Sequence, residues 1–222
     1  MVSPFTPVHV DESPGVFHSR EFDDVGRALW VPTMHDPPTL VLGSNQPNND
    51  VDHDRLASHG ISLAKRRSGG GAVLVGPSEL VWFDVVLPKT DPLWLEDVRR
   101  SFDWIGLACQ RALRSLGVDT DLHTGPLIST TWSRKVCFAG IGPGELTIDG
   151  KKLVGMSQRR TRNASRIQVA ILRRWDGAQH ASFLNLGPKE AERAAKDLKG
   201  VATSIPHSPE EILDAVFDEL PG

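Results

Sequence analysis

The chain reads as an α+β protein, in which runs of strands are interspersed with a few helices. Short β-type segments recur on both sides of residue 120. One long stretch, Leu95–Leu116, has helical spacing, with Val98, Phe102, Ile105, Cys109, Leu113 and Leu116 recurring every three or four residues. Two more helices announce themselves near the C-terminus by their start and stop residues. The length of 222 residues fits one domain covering 1–222.

Residues 1–19 are rich in proline and irregular, as in a tail or an outer strand. Glu21–Trp30 places Val25, Leu29 and Trp30 as a short helix would, and Pro37-Pro38 then breaks the chain. Thr39–Leu42 is an apolar strand ending at Gly43, and Asp52 caps a short helix that Gly60 stops. Ile61–Lys65 and Val73–Val75 are strands on either side of a glycine-rich turn. Glu79–Leu87 is a strong strand whose lone carboxylate, Asp84, requires a backbone or arginine partner if buried. Cys109 sits on the apolar stripe of the long helix and reads as a small core residue. Val118–Leu122 is a short strand, and His123–Arg134 is a loop. Lys135–Gly140, Gly144–Ile148, Lys151–Arg160 and Arg166–Leu172 then form a meander, with Asp149-Gly150 as a two-residue hairpin turn. Pro188–Leu198 is a helix with proline at its start and Gly200 beyond its end. Val201–Ile205 is a last strand, and Ser208-Pro209-Glu210-Glu211 opens the final helix.

Hydrophobic content of 39% and charged content of 24% are those of a globular domain. No run approaches the ~18 apolar residues of a membrane helix. Met1–Gly15 shows no secretory leader, and two cysteines make no disulfide framework, so a reducing cytoplasm is the expected setting. A net charge of −3 excludes a general nucleic-acid binder. Charge is uneven: residues 134–174 hold ten Lys/Arg against two acids. Such a block is either a solvated face or a docking surface for an acidic partner or phosphates.

The stretch that organises the chain is Arg66-Arg67-Ser68-Gly69-Gly70-Gly71-Ala72-Val73. Consecutive glycines lose much backbone freedom on folding, so they are kept where a Cβ would collide with a fold-back or a ligand. Two arginines before them are planar forks suited to a carboxylate or phosphate. A Gly-rich hairpin with two solvated arginines is the plain alternative. The stretch has neither the Gly-Lys-Ser/Thr ending of a Walker loop nor the helix that follows a Rossmann fingerprint.

These residues resemble the Arg-Arg…Gly-Gly-Gly-Ala-Val signature of the lipoate-protein ligase and octanoyltransferase superfamily, which is related to the biotin-protein ligase catalytic domain. Three further blocks resemble that superfamily in the right order: Thr39–Gln46, with Gly43 and Gln46; Val136-Cys137-Phe138; and Gly150–Arg159, with Lys152, Gly155 and Ser157. The resemblance spans about residues 20–205. It implies a mixed β-sheet with helices packed on it and the ligand between. Ligases of the superfamily often carry a C-terminal accessory domain, for which this chain ends too soon.

The resemblance also implies the chemistry, which is movement of an octanoyl or lipoyl group onto a lysine of a lipoyl carrier domain. Expected partners are acidic carrier domains, in a 2-oxoacid dehydrogenase subunit or the glycine cleavage H protein, with an acyl-carrier protein as donor. Lys152 is then the catalytic lysine at the carbonyl or phosphate. Cys137 is the acyl-carrying nucleophile of one branch, its thiolate favoured by Arg134 and Lys135. Arg66, Arg67, Ser68, Gly69, Gly70, Gly71, Ala72, Gly43, Gln46, Gly155, Ser157 and Gln168 are the implied substrate-binding set. A thioester donor requires no cofactor, whereas a ligase route requires ATP and Mg²⁺. The sequence departs from the superfamily pattern at three places: Val75-Gly76 replaces His-Asp, Gln168-Val169-Ala170 replaces Gln-His-Gly, and Ser44 replaces an arginine. The leading reading is an acyltransferase working through Cys137. An ATP-dependent lipoate ligase and a non-catalytic acyl- or carrier-binding module are the alternatives. The biotin branch fits less well, because its glycine loop has a different spacing.

Overall fold

A computed structural model describes residues 5–221. The elements are β1 (Pro7–Val10), α1 (Pro14–Ser19), β2 (Ala28–Pro32), β3 (Thr39–Leu42), α2 (His53–Ser58), β4 (Ser62–Lys65), β5 (Val73–Val75), β6 (Leu80–Pro88), α3 (Asp103–Ser115), β7 (Asp121–Leu122), β8 (Leu146–Ile148), β9 (Lys151–Arg160), β10 (Ala164–Leu172), α4 (Gly177–Ser182), α5 (Pro188–Leu198) and α6 (Pro209–Asp218). The strands form two mixed sheets. One has the order β1-β2-β6-β10-β9-β8-β7, parallel only between β1 and β2. The other has the order β4-β3-β5, with β4 parallel and β5 antiparallel to β3. This is the expected α+β class with a mixed sheet.

The long strands β6 and β10 are buried along almost their whole length, so both read as continuous apolar runs. Phe83, Val85, Ile167, Val169 and Ile171 meet Ile105, Cys109 and Leu113 of α3 and Ile212 and Val216 of α6 in one core. Cys109 is a core residue, its thiol pushed up to about 12 by burial. Asp149 (φ 50°) and Gly150 (φ 72°) adopt the two left-handed conformations that a tight hairpin requires. Ser208 and Glu211 complete a reciprocal capping box on α6.

Of the two readings of residues 1–19, the outer strand is found: β1 is the edge strand of the main sheet, and a short helix, α1, follows it; residues 1–4 lie outside the described residues. Four expectations are corrected. Glu21–Trp30 is not a helix; Leu29 and Trp30 pair with Val85 and Asp84 of β6, because that edge buries them better than an isolated turn would. Helix α3 starts at Asp103, after a 3₁₀ turn at Arg100–Phe102. The Asp97 carboxylate accepts the Arg99 and Arg100 N–H groups, beginning a new turn there and leaving Val98 exposed. Lys135–Gly140 is not a strand, because the N–H groups of Lys135 and Val136 both bond Trp132 O, and Cys137–Ala139 is a 3₁₀ turn. Val201–Ile205 contributes only a bridge between Lys152 and Ala202. Helix α4 was not anticipated; Asp176 caps it by accepting from Gln179 N–H.

Strands β4 and β5 do not pair with each other but flank β3. The glycine stretch therefore crosses over the end of β3 and is no hairpin. That crossover carries it to the mouth of the site.

Candidate active site

Three connections converge beyond the end of β3. The first is the turn after β3, Gly43–Pro47. The second is the glycine crossover. The third is the segment Ser133–Gly140. Lys135 O accepts both the Ala72 N–H (2.9 Å) and Gln46 Nε2–H (3.1 Å), and Ala72 O accepts the Cys137 N–H (2.9 Å). The approach is close enough to exclude side chains. A Cβ on Gly43 would fall 1.8 Å from Gly70 O, and one on Gly71 would fall 2.5 Å from Val136 N.

Arg66 fixes the crossover from inside. Its guanidinium donates to Val41 O (3.2 Å), Gly69 O (2.8 Å) and Gly71 O (2.9 Å) and is shut away from solvent. Burial lowers its pKa below the ordinary arginine value, and the nearby Cys137 acts in the opposite direction.

The floor comes from β9. Pairing with β8 slips between Leu146 and Thr147, leaving Leu153 as an extra residue. Such a bulge re-aims neighbouring side chains. Lys152 points inward and is 2 % exposed. Its Nζ donates to Glu145 Oε2 (2.7 Å), Gly140 O (2.9 Å) and Cys137 O (3.1 Å), and lies 5.2 Å from the Phe138 ring centre. Gly155 backs this arrangement, since a Cβ there would touch Lys152 Cε and Phe138.

Between these walls is a cavity of about 690 Å³. Its lining includes Gln46, Gly69, Gly70, Gly71, Cys137 and Lys152. Cys137 is half-buried at its edge. A thiol, an ammonium and glycine backbone around one cavity can hold a carbonyl, attack it, and stabilise the oxyanion that results.

The Lipoyl protein ligase A/B catalytic domain family matches residues 19–218. The chain belongs to this family. Similar curated proteins include an octanoyltransferase LipM of Kyrpidia tusciae, 33% identical over 162 residues, covering 69% of this chain and 56% of that protein. Another, from Moorella thermoacetica, is 29% identical and covers 71% and 56%. The chain thus spans little more than half the length of these relatives. Among solved structures, the bi-partite lipoate protein ligase of Thermoplasma acidophilum superposes with a TM-score of 0.74 at 20% identity, covering 99% of this chain and 82% of that one. Lipoate-protein ligase A bound with ATP gives 0.67 at 20% identity, covering 99% and 84%. The fold is that of these ligases.

Within this lipoyl ligase family domain, eight of the twelve residues of the implied substrate-binding set lie outside the cavity lining, which takes only Gln46, Gly69, Gly70 and Gly71 from it. Arg66 is spent on carbonyls, and Arg67 pairs with Glu21 on the outside, so neither fork is presented to a ligand. Gly43 lets two backbones meet, Ala72 joins Lys135 and Cys137 through its own backbone, and Gly155 leaves room for the Lys152 and Phe138 side chains. Ser68 Oγ donates to Gln168 Oε1 (2.5 Å) and lies 2.9 Å from Ser157 Oγ, so these three form a network behind the glycines. Gln168 Nε2 donates to Asp84 Oδ2 and to His18 Nδ1, both at 3.2 Å. Asp84 has the arginine partner expected of it, Arg166 Nε at 2.5 Å, and also accepts from Trp82 Nε1. Lys135 is committed to Asp50 at 2.8 Å, while Arg134 is exposed and lines the cavity. Sequence reasoning missed Glu145, Leu127, Ser133 and Met156, which also line it. Only Met156, inside the lysine block, had a positional signal.

Proposed function

We propose that the protein is a lipoate-pathway acyltransferase that moves an octanoyl group from a thioester donor to a lysine of an acidic lipoyl carrier domain through Cys137. The observation that carries this reading is the junction of Cys137 and Lys152: the lysine Nζ sits 3.1 Å from the cysteine's own carbonyl oxygen, at one glycine-lined cavity. The name octanoyltransferase borne by relatives supports octanoyl as the group.

The chemistry balances in two steps. The Cys137 thiolate attacks the thioester carbonyl, forming a C–S bond, and the donor thiolate leaves. The neutral amine of the acceptor lysine then attacks the acyl-cysteine. An amide forms, the Cys137 thiolate is released, and the proton lost by the amine passes to solvent, where it balances the donor thiolate freed in the first step. In both steps negative charge develops on the carbonyl oxygen, and the Lys152 ammonium at the cavity wall is the cation placed to stabilise it.

The test is intact-mass spectrometry. Incubation with an octanoyl thioester adds one octanoyl group to the wild type and none to Cys137→Ser. An adduct that persists in Cys137→Ser, or that maps to Cys109, overturns the reading. A parallel incubation with octanoate, ATP and Mg²⁺ assigns the protein to a ligase route if carrier modification proceeds there undiminished in Cys137→Ser.

A further inference from the structure

Glu145 enters neither step above, yet it is the most constrained carboxylate at the cavity. It is 4 % exposed, and both oxygens are engaged. Oε1 accepts the Met156 N–H at 2.7 Å; Oε2 accepts the Gly142 N–H at 2.6 Å and Lys152 Nζ at 2.7 Å. The two backbone donors fix the carboxylate, and the carboxylate in turn fixes the ammonium.

Lys152 has three N–H bonds and three acceptors, so it has none to spare. A substrate carbonyl oxygen gains a donor only if one acceptor is released. Releasing Glu145 would separate a buried ion pair, the costliest of the three. Cys137 O is neutral and makes the longest of the three bonds, at 3.1 Å. It also belongs to the residue whose side chain bears the nucleophile.

We propose that Glu145 is a positioning residue for acyl transfer. It is the pivot that holds the Lys152 ammonium at the cavity wall while one N–H turns from Cys137 O to the acyl carbonyl oxygen. The proposal rests on the acyl-transfer reading above for its catalytic half, and on the ion pair alone for its structural half.

A double-mutant cycle tests both halves, using Glu145→Gln, Lys152→Met and the two combined. Octanoyl transfer by Glu145→Gln falls on the order of 10²-fold in kcat with KM for the thioester within about twofold, as for loss of a preorganised donor. In the Lys152→Met background the same change costs nothing further, because Glu145 acts through the lysine. Each single variant leaves a buried charge unpaired and lowers Tm by about 10 °C, and the double variant recovers most of that loss. Losses in kcat that multiply, or Tm losses that add, overturn the proposal. Glu145→Asp keeps the charge but withdraws it by one methylene; it stays folded and loses about tenfold or more in kcat, and wild-type activity in it also overturns the proposal. Should wild type transfer nothing from a thioester, the functional reading falls, and the Tm cycle still decides the pairing: recovery in the double variant upholds it and additive losses remove it.

Discussion

At the scale of single residues, the three glycines of the crossover have different duties. Gly71 and its neighbour across the site, Gly43, sit where a Cβ would meet backbone at 2.5 and 1.8 Å. Gly70 has φ 100°, a conformation that costs other residues strain. Gly69 has open space around the position of a Cβ and an ordinary φ. Gly43→Ala and Gly71→Ala are therefore expected to push the crossover away from Cys137 and lower transfer by about 10²-fold, the scale of a misplacement of about 1 Å. Gly69→Ala is expected to keep activity within about twofold and Tm at or above wild type, since it only restricts the unfolded chain. Kinetics and thermal melts on the three variants check this; equal damage at all three would mean that the close approaches do not set the geometry. Arg66 shows the same division between motif and role. Its place beside the glycines suggested a ligand fork, but its guanidinium holds three backbone carbonyls and does not line the cavity.

At the scale of elements, α1 is bound to the main sheet by a buried polar cluster. Arg166 of β10 donates to Phe17 O (2.9 Å) and Arg20 O (3.1 Å) at the end of α1, a favourable place for a cation. His18 of the same helix faces Gln168 and packs edge-on to Trp82. Burial, then Arg166 and Arg66, lower its pKa from 6.5 to about 3. Its folded form thus binds fewer protons than the unfolded chain between those values, so its contribution is complete above pH 6.5 and is lost as pH falls towards 3. The expected slope is up to about 1.4 kcal/mol per pH unit in that window. His18→Asn keeps an acceptor but cannot titrate, so denaturant unfolding from pH 4 to 7 should be flatter than in wild type; parallel slopes would refute the assignment. Nothing in Pro14–Ser19 advertised this docking, because the partner residues lie about 150 positions away. Elements set by local chemistry were legible: the Asp149-Gly150 turn, the Asp52 cap of α2, the Ser208 box of α6 and the apolar stripe of α3. Strand β2, set by long-range pairing, was not, and neither was the turn at Cys137, whose bonds to Trp132 O are local but follow no turn residue in the sequence. In the site, Cys137 and Lys152 were legible through their blocks, whereas Glu145 looked like one more acid in a turn until the fold placed it beside the lysine.

At the scale of the whole molecule, only part of the basic block in the sequence is left exposed, namely Arg134, Lys151, Arg159, Arg162 and Arg174. Of the ten cations between 134 and 174, Lys152 and Arg166 are buried. Arg160 stacks on Trp94 and bonds Leu95 O and Glu96 O, Arg173 bonds Pro77 O and His207 O, and Arg174 pairs with Glu79. Arg162 is exposed, but the turn that carries it lies more than ~13 Å along β9 from Met156 at the cavity. Reversing Arg166 would destroy the Asp84 pair rather than probe a surface. Arg134 combines exposure with a place on the cavity lining, three residues from Cys137. An acidic carrier presenting its lysine to the cavity would therefore meet Arg134 first. Opposite charges at such a rim mainly speed association, and salt screens them. Arg134→Glu should raise KM for an acidic carrier domain by about tenfold at low salt and abolish its salt dependence, while Arg162→Glu changes KM by less than about twofold. Acylation of Cys137 by a small uncharged octanoyl thioester should be unaltered in both variants, which separates carrier docking from damage to the nucleophile. A carrier KM that is equal in wild type and Arg134→Glu, at low and high salt alike, would remove Arg134 from the docking surface.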